Sequence, residues 1–134
     1  MTLLVPNTGE VLFLEMIVNK TAAQDWVLKL FKSNTTPAET DTAATYTEAD
    51  FTGYSSITLT GSSWGSGSAG APSSIAYAQQ TFTSSADSQN QDIYGYYYVQ
   101  ATSGTLILAE RQASSFNIAN NGDTIKLTPA ITCD

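Results

Sequence analysis

The sequence predicts a mainly β protein: a single-domain antiparallel β-sandwich or jelly-roll-like barrel with one short N-terminal helix. Three observations point there. Short runs of β-branched and aromatic residues recur along the chain, among them Trp26–Lys32, Ile75–Ser84 and Ile93–Thr102, and such residues suit a pleated, half-buried surface. Turn chemistry separates the runs, most clearly at Asn120-Asn121-Gly122-Asp123, because Asn and Gly tolerate positive φ. The 134 residues, 42% of them hydrophobic, form one domain (1–134) with a core of its own.

Residues 1–7 read as an apolar arm. Leu3, Leu4 and Val5 precede Pro6, which favours extended backbone. Such an arm docks either on its own domain or on a neighbouring subunit, since three apolar side chains do not stay in water. Residues 8–20 follow. Thr8 suits an N-cap, Glu10 suits the positive end of a helix, and Asn19-Lys20 suits a stop. So short an apolar stretch also fits a buried strand; a helix is the reading adopted. Its apolar residues surround most of the circumference, which predicts burial on more than one side. Leu14→Ala would then cost about 2–5 kcal/mol.

Trp26–Lys32 reads as a strand with Trp26, Leu28 and Leu30 on one face and Lys29 on the other. Ser33–Thr45, with Pro37, is a polar loop long enough for a working surface. Tyr46–Phe51 fits one helical turn. Tyr54–Thr60, Ile75–Ser84, Ile93–Thr102, Thr105–Arg111, Ser115–Ile118 and Thr124–Thr128 bring the strands to seven. Gly61–Ser74 is a Gly/Ser-rich loop around Trp64, Ser103-Gly104 a two-residue hairpin turn, and residues 129–134 a C-terminal tail.

Composition excludes several function classes. Charged residues are 13% of the chain, about half the usual share, and Ser and Thr take their place. The net charge is −7, and the five cations, Lys20, Lys29, Lys32, Arg111 and Lys126, form no stripe in sequence. Nucleic-acid binders need cations gathered on one face, so neither nucleic acid nor an anionic membrane is an expected partner. No apolar run approaches the ~20 residues of a membrane span. Cys133 is the one cysteine, so an intrachain disulfide is impossible. Met1 is followed by an apolar patch with no basic region and no cleavage pattern, which predicts synthesis in a cytoplasm without standard export.

There is no histidine, which removes the usual near-neutral base. Gly61-Ser62-Ser63-Trp64-Gly65 matches a nucleophile elbow, but the elbow needs a strand-turn-helix setting and a base. Gly65-Ser66-Gly67-Ser68-Ala69-Gly70 matches the dinucleotide fingerprint, but Ala71-Pro72 and a β-pattern follow where a helix must begin. Asp87, Asn90 and Asp92 do not alternate as calcium ligands do. Glu39 with Asp41, and Glu48 with Asp50, are the carboxylate pairs that glycosidic chemistry would use; in polar loops they read as solvated. The sequons Asn19-Lys20-Thr21 and Asn34-Thr35-Thr36 are explained by abundant threonine. The expectation is no enzyme, no cofactor and no metal.

The tyrosines are the most distinctive polar feature. Alternation sends Tyr94, Tyr96 and Tyr98 to one face and Tyr97 with Val99 to the other. Core packing explains such a cluster; so does an interface, where tyrosine is enriched, and so does stacking on sugar rings. With the arm and the loop tryptophan, the candidate partner-binding residues are Leu3, Leu4, Val5, Trp64, Tyr96 and Tyr98.

Leu28-Lys-Leu-Phe, Pro37-Ala-Glu-Thr-Asp-Thr, Tyr46-Thr-Glu-Ala, Phe51-Thr-Gly-Tyr, Ala78-Gln-Gln-Thr-Phe82, Ile93-Tyr-Gly-Tyr and Asn121-Gly122-Asp123-Thr-Ile-Lys span most of the chain. Together they resemble small β-rich structural proteins of tailed bacteriophages, including cyanophages. The resemblance implies a virion protein made in the host bacterial cytoplasm and carries over no site residues. The expected function is a capsid cement or decoration protein, bound to the outer shell between major capsid subunits and stabilising it. It would act as a dimer or trimer with the major capsid protein or another virion protein as partner. The alternative is a tail, baseplate or fibre component touching host glycans.

Overall fold

The longest aromatic and apolar runs build the centre of the protein. In the computed structural model, which describes residues 3–133, helix α1 (Asn7–Ile17) is followed by eight strands: β1 (Trp26–Phe31), β2 (Ile57–Leu59), β3 (Ser73–Ala76), β4 (Gln80–Thr83), β5 (Gln91–Gln100), β6 (Leu106–Ile118), β7 (Thr124–Leu127) and β8 (Ala130–Cys133). Met1 and Thr2 of the expected arm, and Asp134 of the expected tail, lie outside the described residues. The fold is the mainly β, antiparallel, sandwich-like class that the sequence predicts. A four-stranded sheet runs β2-β1-β5-β6, and β3-β8 and β4-β7 form two-stranded ribbons.

The central sheet is buried on both faces. Leu28, Leu30, Tyr98 and Leu108 point into one core, where Leu12 of α1, Phe82 of β4, Ile125 and Leu127 of β7 and Ile131 of β8 meet them. Phe31, Tyr97, Val99, Leu106 and Ala109 point into a second core, closed by Ala43 and Tyr46. The polar segment after β1 is therefore a cover over the second core, and its end is stitched to the sheet. The Lys32 N–H donates to the Thr47 carbonyl (2.8 Å) and the Ala49 N–H to the Leu30 carbonyl (2.9 Å).

Two irregularities in the β5–β6 pairing shape what surrounds them. The first lies where the register passes from Tyr98↔Leu108 to Val99↔Leu106, which leaves Ile107 as the extra residue of a bulge. Ile107 is wholly buried, and its backbone lies against Gly9, where a Cβ would overlap the Ile107 carbonyl. Only glycine lets α1 approach so closely. The second lies between Ile93↔Phe116 and Gly95↔Arg111; there Gln112–Ser115 stand opposite Tyr94 alone. This shift moves Tyr94 off the face of Tyr96 and Tyr98. It packs with the second core, under the Arg111 guanidinium at 5.3 Å.

Several local expectations are corrected. The helix runs over 7–17 rather than 8–20. Pro6, with extended φ and ψ, is the N-cap, and Asn19 in the left-handed region (φ 56°) ends the turn. The helix is also not buried all round: Val11, Leu14, Ile17 and Val18 are exposed. The second strand shrinks to Ile57–Leu59. The run 75–84 splits, because β3 and β4 join different ribbons. The segments 105–111 and 115–118 are one strand, β6. The tail is strand β8, paired with β3. The helical turn falls at Ala43–Thr45, not at Tyr46–Phe51. The hairpin after β5 is wider than two residues: the Gln100 N–H donates to the Thr105 carbonyl (2.9 Å).

Phe31 sits under Gly95, where a Cβ would lie 2.5 Å from Phe31 Cζ and would overlap the Glu110 carbonyl. Gly95→Ala should cost about 1–3 kcal/mol through overpacking. Leu14→Ala, on the exposed side of α1, should cost less than about 0.5 kcal/mol. Urea unfolding of both variants checks this; a larger loss for Leu14→Ala would contradict the placement of the helix.

Candidate docking surface

Helix α1 is about 16 Å long at 1.5 Å per residue, and it is held along one side only. The Thr8 hydroxyl donates to the Leu106 carbonyl (3.1 Å). Gly9 and Leu12 are buried. Phe13 and Met16 pack against the first core, with the Phe13 ring 6.2 Å from that of Trp26. At the far end the Glu15 carboxylate accepts from Lys20 Nζ (2.6 Å) and the Thr21 hydroxyl (2.9 Å), tying the turn after the helix. The opposite side carries Val11 (56% exposed), Leu14 (65%), Ile17 (80%) and Val18 (72%). The spacing of three, then three and four residues puts them in one stripe. Among the described residues the other exposed large hydrophobic side chain is Phe116.

A polar group beside this stripe lacks a partner. Gln100 is 4% exposed, and its side chain lines a groove with Asn7, Thr8, Val11 and Thr105. Its Oε1 accepts from the Ser103 hydroxyl (2.6 Å), while its Nε2 has no hydrogen-bond partner. A buried donor left unmade costs about 1–3 kcal/mol.

The six residues singled out from the sequence are engaged within the fold. The Leu4 N–H donates to the Ala109 carbonyl (2.9 Å), and the Ala109 N–H donates back (3.0 Å). Leu3 and Val5 pack against the first core, so the arm docks on its own domain. Trp64 is half-buried, 5.6 Å from Trp26 and 5.4 Å from Tyr77. Tyr98 is buried, and Tyr96 donates to the Glu110 carboxylate. Sequence reasoning missed the α1 stripe because it assigned the whole helix to the core. The signal was present: a helix apolar all round needs cover on two sides, and this domain supplies one.

The tempting motifs are absorbed structurally. Gly61–Ser63 is a single 3₁₀ turn, with the Gly61 N–H on Asp25 Oδ1 (2.7 Å). Strand β3, not a helix, follows the glycines at 65–70. Asp87 accepts from the Asn121 N–H (2.9 Å) and Asp92 from Asn117 (2.8 Å). Glu48 binds Lys29 (2.8 Å) and the Tyr54 hydroxyl (2.9 Å). Asp50 binds Lys32 (2.6 Å), and Asp41 accepts from the Tyr46 hydroxyl (2.8 Å). No three His, Cys, Asp or Glu side chains converge as metal ligands among the described residues. No helix there is long and apolar enough to cross a membrane. No family model, curated protein or solved structure matches the chain.

The packed phenols make stability depend on alkaline pH. Burial pushes Tyr97 up to about 12, and it pushes Tyr46, Tyr54, Tyr96 and Tyr98 up as well. A phenol held above its unfolded value of about 10 contributes fully below that pH and loses its contribution as pH rises through the folded value. Hydrogen bonds from Lys32 lower Asp50, and the backbone N–H groups of Asn120 and Ala119 lower Asp123. Those contributions are present above about pH 4 and fade as pH falls. Melting temperature should therefore fall above about pH 10 and again below about pH 4. A rise in melting temperature between pH 9 and 11 would contradict the burial of the tyrosines.

Proposed function

We propose that the protein is a non-enzymatic structural component of a tailed-phage virion: a cement or decoration protein that binds the outer shell between major capsid subunits. The carrying observation is the exposed apolar stripe of α1, Val11, Leu14, Ile17 and Val18, presented on a β body. Exposed apolar patches of this kind mark protein interaction sites. Burying the exposed part of each of these four side chains contributes roughly 1–2 kcal/mol before the costs of association. The resemblance of the chain to small phage structural proteins supplies the setting. A protein that binds only the mature lattice lowers the free energy of that state by mass action. The net charge of −7 keeps the free protein soluble until it docks.

Two measurements test this. Copy number per purified virion should be in the hundreds for a shell protein; a few to tens would place it in the tail, baseplate or fibre instead. Ile17→Asp should leave the melting temperature of the free protein within a degree or two and lower occupancy on empty capsids at least tenfold, about 1.4 kcal/mol. Unchanged occupancy would remove α1 from the docking surface.

A further inference from the structure

A second feature lies away from α1, where the sandwich is open. Strands β6 and β7 are consecutive and separated by residues 119–123 alone, yet they do not pair. β6 pairs with β5, and β7 pairs with β4. Between them runs a cleft of about 410 Å³. Leu30, Ile93 and Tyr96 of the central sheet contribute to it from one side.

The lining residues come in unbroken runs, Ser114–Phe116 and Thr124–Leu127. Alternate side chains of a strand point to opposite faces. A cleft lined by every residue in turn therefore follows the strand edges, where backbone N–H and C=O groups project. Those edges are open. Among the described residues, no strand pairs with Gln112–Ser115 on either side, because the register passes from Arg111 directly to Phe116. β7 has β4 as its single strand partner. Unpaired edges of this kind template the addition of another strand.

Charge adds a second element. Lys20, Lys29 and Lys32 each hold a carboxylate, and Arg111 donates to the Thr35 carbonyl (3.1 Å) and covers Tyr94. Lys126, which lines the cleft, has no carboxylate within 4.0 Å among the described residues. Phe116, which also lines the cleft, is about half exposed.

We infer that this cleft is a strand-acceptor site: it takes an extended peptide segment of a partner protein between β6 and β7, with apolar side chains at alternate positions and an acidic group toward Lys126. The inserted strand would join β5-β6 to β7-β4. The edge of β7 offers about 13 Å at 3.3 Å per residue, enough for three or four residues in register. Apolar side chains of the insert would meet Ile125, Leu127 and Tyr96; the alternate ones would face solvent and Lys126. The inference is independent of the shell reading, since it specifies how a partner chain is held and not which particle it belongs to.

The test is selection of random peptides of about ten residues, roughly one long strand, against the full-length protein, followed by hydrogen exchange of the complex. The expected result is enrichment of alternating apolar peptides carrying Asp or Glu, with slowed exchange at 112–116 and 124–127. N-methylation of alternate peptide amides should abolish binding in one register and spare it in the other. Lys126→Glu should weaken the acidic peptides roughly three- to tenfold at low salt, with unchanged melting temperature. Three outcomes would overturn the inference: no enrichment, protection confined to other residues, or binding indifferent to N-methylation in both registers. Ile17→Asp should not affect this binding, so failure here and failure of the shell reading are separate results.

Discussion

The structure depends on the antiparallel pairing of β1 with β5, the centre of the sheet that separates the two cores. Leu28↔Tyr98 and Leu30↔Tyr96 face one side, and Phe31↔Gly95 faces the other. Phe31 is wholly buried, with Tyr46 at 4.9 Å and Tyr97 at 6.4 Å between ring centroids, and its ring occupies the space that Gly95 leaves empty. A Cβ at 95 would overlap both the Phe31 ring of β1 and the Glu110 carbonyl of β6. The rest of the chain is arranged as cover. The segment after β1 closes the second core; α1 and the two ribbons close the first.

Cover is finite in a domain of this size, and the finite cover produces both candidate surfaces. α1 reaches the sheet through its first turn, where the bulge at Ile107 and the missing side chain of Gly9 let the backbones meet. The helix then lies on Trp26 and the first core by its inner side. Nothing among the described residues lies over its outer side. The ribbon β4-β7 spans part of the same core without pairing with β6, and the register jump opposite Tyr94 leaves Gln112–Ser115 unpaired. One opening is an apolar stripe on a helix and the other a pair of unpaired edges, so they suit different partner chemistry.

Much of the fold was legible in the sequence. Trp26–Phe31, Thr124–Leu127 and the Asn120–Asp123 turn fall where aromatic and β-branched residues and turn chemistry put them. The errors have physical causes. Ile75–Ser84 reads as one strand because local composition does not show that Ala76 and Gln80 pair with different partners. The chain after Pro129 reads as a tail because a four-residue strand is stabilised by its neighbour β3, not by its own propensity. Tyr94 was assigned to the wrong face because a bulge is a tertiary event. The candidate site was less legible than the fold. The tyrosines read as core, interface or sugar-stacking residues; Tyr98 is buried, while Trp64 and Tyr96 are partly buried and packed against the first core. All the apolar α1 residues looked like core, and Val11, Leu14, Ile17 and Val18 are surface. Apolar patterning shows which side chains avoid water, but not whether their cover comes from the same chain.

The central claim is that the outer side of α1 is covered by another protein. It is tested most directly with Ile17→Cys on a Cys133→Ser background, which removes the exposed native thiol. The rate of maleimide labelling is compared between free protein and protein incubated with empty capsids, its proposed partner. Fast labelling when free and strong protection when bound is the predicted result. Equal labelling in both states would contradict the account.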